Sequence, residues 1–116
     1  MKNLDEKLKL MKQLHDAGLK GGLWFHTDHS GYWQIMSGFS RTGQQWFPLE
    51  QVLGLLEDIG WIQFKGNDIE VGISLKLIEW EEIVVSLPKR VENDYHLAAL
   101  KLLVQVLEKY PNEVKR

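Results

Sequence analysis

The stretch Trp61-Ile62-Gln63-Phe64-Lys65-Gly66-Asn67-Asp68-Ile69-Glu70-Val71-Gly72-Ile73-Ser74-Leu75-Lys76-Leu77 decides the fold class. Successive side chains of a strand point to opposite faces. With Gly66-Asn67 as the connecting loop, Phe64 falls opposite Ile69 and Ile62 opposite Val71. Ile73, Leu75 and Leu77 extend that apolar face, while Trp61, Gln63, Glu70, Gly72, Ser74 and Lys76 take the other. Two alternating runs joined by turn residues predict an antiparallel hairpin.

Working outward, Pro48 suits the first position of a helix, because its missing N–H would be unpaired there anyway. Val52, Leu55, Leu56 and Ile59 then form one helical stripe, and Gly60 fits a left-handed stop. Downstream, Ile83-Val84-Val85 favours a strand within residues 78–87 by β-branching, although Leu77, Trp80, Val84 and Leu87 also fit a helical stripe. Pro88 closes that segment. Asn93 or Asp94 caps a last helix running to about Lys109, apolar around most of its circumference. Such a helix is buried on two sides, either across the sheet or in a homodimer contact.

Upstream, Leu4, Leu8, Met11 and Leu14 recur at helical spacing over residues 3–17. Asn3 and Glu6 have the spacing of a capping box, and Gly18 ends the helix. Leu23 to Thr27 and Tyr32 to Ser37 read as a hairpin around Asp28-His29-Ser30-Gly31, with Thr27 opposite Tyr32 and His26 opposite Trp33. Residues 38–43 read as a loop. The expected order is α-β-β-α-β-β-(β)-α: one α+β domain over residues 1–116, a two-layer sandwich of a four- to five-stranded antiparallel sheet with helices mainly on one face.

The chain has 116 residues, 44% of them hydrophobic, and no cysteine, which excludes disulfide scaffolds and thiol chemistry. Its apolar runs are far shorter than the roughly 20 residues of a membrane span. The charged start reads as an amphipathic helix and not as a secretory signal, so a soluble cytoplasmic domain is expected. Residues 50–82 carry Lys65 and Lys76 against eight acids, a net charge of −6. Lysine and arginine dominate affinity for phosphate backbones, so the middle of the chain disfavours nucleic acid.

Trp24-Phe25-His26-Thr27-Asp28-His29-Ser30-Gly31 sets three potential metal ligands within four residues. The run resembles the His-x-His-x-Asp-His-x-Gly signature of the metallo-β-lactamase superfamily at its last four fixed positions. That resemblance implies a metal-dependent hydrolase with His26, Asp28 and His29 as ligands, the motif leading from a strand into a helix. It covers eight residues. Trp24 replaces the first histidine, the residues that follow read as a strand, and His15 and His96 are the only other histidines. The simpler expectation is that His26 packs on Trp33 and Asp28 caps its turn through backbone N–H groups, with no metal and no cofactor. Gly18-Leu19-Lys20-Gly21-Gly22 precedes a strand, not a helix N-terminus, and so is no phosphate loop. No Gly-x-Ser-x-Gly elbow is present either.

Five tryptophans remain to be explained. Large aromatics fill cores, but Trp, Tyr and Arg also anchor protein contacts. Phe39, Arg41, Trp46, Phe47 and Trp61 are the expected partner-binding residues. The function expected is a non-catalytic interaction or regulatory domain binding a larger protein. The alternatives are a winged-helix-like nucleic-acid binder built on residues 49–77 and, less favoured, a small metal-dependent hydrolase.

Overall fold

The computed structural model describes residues 3–65, 70–75, 82–86 and 94–114. The chain is α+β, in the order α1 (Leu4–Asp16), β1 (Leu23–Thr27), β2 (Trp33–Met36), β3 (Gln44–Trp46), α2 (Leu49–Glu57), β4 (Gly60–Lys65), β5 (Glu70–Leu75), β6 (Glu82–Ser86) and α3 (Tyr95–Lys109). In place of one sheet of four to five strands, the described residues form two three-stranded antiparallel sheets, ordered β2-β1-β3 and β4-β5-β6. Residues 82–86 are the strand that β-branching favours.

β3 is the strand that its sequence hides, because Gln44-Gln45-Trp46 has no apolar alternation. Tertiary bonds fix it instead. Gln44 Nε2 donates to the Leu8 carbonyl of α1 at 3.0 Å, and Gln45 Oε1 accepts from the Gly21 N–H at 2.7 Å. Gly43 leads into β3 so closely that a Cβ there would lie 2.4 Å from the Phe25 carbonyl oxygen.

Both hairpins differ in register from the expectation. In the second, Ile62 pairs with Ile73 and Phe64 with Val71. Relative to the Gly66-Asn67 alignment this is a shift of two residues, which leaves the same residues on each face. The Gly66-Asn67 turn itself, Leu77 and Pro88 lie outside the described residues. In the first hairpin the shift is one residue. Thr27 pairs with Trp33 and His26 with Gln34, so Trp33 changes face and stacks on Phe25 at 6.0 Å between ring centroids. Asp28 holds the turn that goes with this register, its Oδ1 accepting from Ser30 N–H (2.9 Å), Ser30 Oγ (2.7 Å) and Tyr32 N–H (3.0 Å). Gly31 completes the loop at φ +86°, where side chains are disfavoured.

α1 ends in a Schellman motif. Leu19 N–H bonds the Leu14 carbonyl, Gly18 N–H bonds the His15 carbonyl, and Gly18 takes φ +99°. Gly60 is not the left-handed stop of α2; it opens β4, and the cap residue Asp58 is right-handed. Pro48 sits one position earlier than expected, at the N-cap. Asn3 does not cap α1 through its side chain. It reaches Asp94 instead, Nδ2 to Oδ2 at 3.0 Å, and Asp94 Oδ1 caps α3 by accepting from Leu97 N–H at 3.0 Å.

α3 is the centre of the molecule. It packs against α1, α2, β5 and β6, and nine of its fifteen residues, from Leu97 to Leu107, are buried. Its two-sided apolar surface is thus satisfied within one chain, with no need of a second copy at that helix. Met11 and Leu14 of α1, Val52 and Leu56 of α2, and Phe25, Trp46 and Phe47 complete the core. Lys7 is buried among them and forms an ion pair with Asp94, Nζ to Oδ1 at 3.1 Å. Among the described residues no helix is long and apolar enough to cross a membrane.

Candidate functional site

The loop from Ser37 to Gly43 folds over the face of the first sheet that turns away from the core. β1 places Trp24 and His26 on that face because Phe25 between them points inward. Phe39 stands edge-on to Trp24, with ring centroids 5.0 Å apart and planes at 77°. That is a favoured aromatic geometry. His26 Nδ1 lies 3.0 Å from Ser40 Oγ and 3.3 Å from Thr42 Oγ1. Ser40 is buried, and a Cβ on Gly43 would come within 2.8 Å of its Oγ. The loop is therefore clamped at its base by a histidine and two hydroxyls and at its tip by one aromatic pair.

His26, Asp28 and His29 do not converge. His26 Nδ1 is engaged by the loop hydroxyls and Asp28 Oδ1 by its own turn. Among the described residues no three His, Asp or Glu side chains are grouped as a metal site would need. The Ser30 hydroxyl, followed by the Tyr32 and Ser30 N–H groups and the nearby His26 ring, holds the exposed Asp28 carboxyl below its ordinary range. The expected packing of His26 on Trp33 is replaced by the Ser40 and Thr42 contacts, a consequence of the one-residue register shift.

The five expected contact residues divide. Phe39 is 73% exposed and Trp61 60%, and Arg41 lies exposed in the same loop as Phe39. Trp46 is only 4% exposed, stacked on Phe25 at 5.8 Å and tilted against His96 at 5.5 Å. Phe47 is fully buried, its N–H directed at Met11 Sδ. The expectation that Trp46 and Phe47 face outward fails because β3 inserts Trp46 between the sheet and α3. Trp61 lies on β4 of the second sheet, apart in the fold from the Phe39 loop.

His96 was not singled out from the sequence, since one histidine in an apolar helix carries no pattern. The structure gives it a role as a bolt, its Nε2–H donating to the Phe47 carbonyl at 2.7 Å. Burial pushes its pKa below the ordinary value, with Lys7 adding to that, against the opposing pull of the Phe47 bond and of Asp94. A cleft of about 460 Å³ is lined by residues of α1, β1 and β3, among them Lys12, His15, Asp16 and Gln45. Gln45 Oε1 already accepts from Gly21, so His15 Nδ1, 3.1 Å away, is the protonated nitrogen.

Comparison of the chain with protein-family models, with curated proteins and with solved structures returned no match.

Proposed function

We propose that the chain is a small non-catalytic interaction or regulatory domain that binds a larger protein partner in the cytoplasm through the Phe39–Arg41 loop, with the exposed Trp61 a further candidate contact. The observation that carries this reading is a large aromatic side chain held in water. Phe39 is mostly exposed, yet Trp24 fixes one edge of its ring and His26, Ser40 and Thr42 anchor the loop behind it. An anchor already ordered loses little conformational freedom on binding, which is how preorganisation raises affinity. Arg41 next to it fits a partner whose apolar pocket is bordered by a carboxylate.

Two observations weigh against the other classes. The winged-helix reading places α2 and the β4–β5 hairpin on phosphate, but Glu50, Glu57 and Asp58 are exposed on and beside α2, within the segment of charge −6. The hydrolase reading needs His26, Asp28 and His29 to converge, and they are engaged separately.

The test is capture from the native cell on immobilised wild type and on the Phe39→Ser/Arg41→Glu variant, with circular dichroism showing both folded. A protein retained by the first and lost from the second supports the reading. Equal retention by both, or retention by neither, overturns it.

A further inference from the structure

The edges of the two sheets are not treated alike. α1 packs against β3, α2 against β4 and α3 against β6, whereas β2 has β1 as its close neighbour among the described elements. Among the described residues, the strand Trp33-Gln34-Ile35-Met36 is therefore an edge without a helix over it. Natural edges are protected by charge, proline or a bulge. This one has neither charge nor proline, and it pairs with β1 without an extra residue.

The ladder fixes where its main-chain groups point. The Asp28 N–H donates to the Tyr32 carbonyl at 2.9 Å, and bonded and non-bonded pairs alternate along antiparallel strands. His26–Gln34 and Trp24–Met36 are then the bonded pairs, and Thr27–Trp33 and Phe25–Ile35 the non-bonded ones. The Phe25 carbonyl has the same phase, since it faces Gly43 on the β3 side. The N–H and C=O of Trp33 and of Ile35 consequently point outward from the free edge.

We propose that a second copy of this chain occupies that edge, β2 pairing antiparallel with its counterpart across a twofold axis at Gln34. In that register Trp33 faces the partner's Ile35 and Ile35 faces the partner's Trp33. Both are hydrogen-bonded pairs, so every outward main-chain group of Trp33 and Ile35 finds a partner. Each is also an aromatic–β-branched pair, a favourable cross-strand combination. The two Gln34 side chains meet on the axis, and an amide, being donor and acceptor at once, complements itself. The product is a continuous six-stranded sheet, ordered β3-β1-β2-β2-β1-β3. The contact is short, so the dimer is weak and concentration-dependent.

Analytical ultracentrifugation over a wide concentration range tests this with wild type, Gln34→Lys and Gln34→Glu. Gln34 is exposed and, among the described residues, its side chain hydrogen-bonds only Met36 Sδ, at 3.7 Å, so both variants keep the fold, as circular dichroism verifies. The expected results are a monomer–dimer equilibrium for wild type and association weakened about tenfold or more in each variant, because like charges then face each other across the axis. An equimolar mixture of the two variants restores the dimer. A wild type monomeric at every concentration overturns the proposal and leaves the edge to a strand from another protein. A Gln34→Lys variant that dimerises like wild type, or a mixture that fails to restore association, overturns it as well.

Discussion

Replacing Asp94 with alanine probes the junction between the start of the chain and its last helix. The carboxylate lies 3.1 Å from Lys7 Nζ and 3.0 Å from both Asn3 Nδ2 and the Leu97 N–H. The Lys7 and Asp94 side chains are only 8% and 10% exposed. Loss of an N-cap costs about 1 kcal/mol, and stranding the other half of a buried ion pair costs about 3–5 kcal/mol. The stranded ammonium dominates, so Asp94→Ala is expected to lose about 3–5 kcal/mol, a large share of the roughly 5–15 kcal/mol that holds a domain folded. Asparagine caps as well as aspartate does, so Asp94→Asn should recover about 1 kcal/mol of that loss. Lys7→Met combined with Asp94→Asn removes both charges and should recover most of the remainder, since apolar replacement of a buried pair is often neutral. Urea unfolding followed by tryptophan fluorescence at neutral pH measures all three. A loss below about 1 kcal/mol for Asp94→Ala, the value of an exposed pair, refutes the reasoning. Acid provides a second check. Burial raises the Asp94 carboxyl, but the Asn3 amide, the Leu97 N–H and Lys7 together outweigh it and hold the group below its ordinary 3.8. The unfolded chain then takes up this proton before the folded one does. The contribution is complete above that value and disappears as pH falls below it, a component that Asp94→Asn should lack.

His96 should make stability depend on pH in a higher window. Because burial depresses its pKa from 6.5, the unfolded state is protonated first. The urea midpoint of wild type is therefore expected to fall as pH drops through and below 6.5, and His96→Gln should flatten that slope. The two loop glycines should respond to alanine for different reasons. Gly43→Ala forces a methyl against the Phe25 carbonyl and Ser40 and should cost about 1–3 kcal/mol by overpacking. Gly31→Ala meets open space but keeps φ +86° and should cost about 1 kcal/mol from the left-handed backbone alone. Thermal unfolding of the pair checks the order, and Gly43→Ala should also disturb the Phe39 loop, visible as a change in the emission of the adjacent Trp24.

The elements governed by local chemistry were legible in the sequence. The stripe Leu4, Leu8, Met11 and Leu14, the stop at Gly18, a cap at Asn93 or Asp94 (the fold takes Asp94) and the alternation of Ile62, Phe64, Val71 and Ile73 each depend on a few neighbouring residues, and each settles a helix or a face of a strand. The Asx turn of Asp28 was equally local. What it does to the register was not, because the choice between a four- and a five-residue loop rests on where Trp33 finds its packing, against Phe25 in the core. β3 has no local signal, since Gln44 and Gln45 become strand residues only through partners in α1 and at Gly21. The candidate site follows the same division. Sequence marked Phe39 and Arg41 by residue type in a loop, but assigning Trp46 and Phe47 to the core, and Trp24, His26, Ser40 and Thr42 to the support of that loop, took the fold. Periodicity reports which side of an element is apolar; which other element covers that side is set by contacts between residues far apart in the chain, and these leave no period to read.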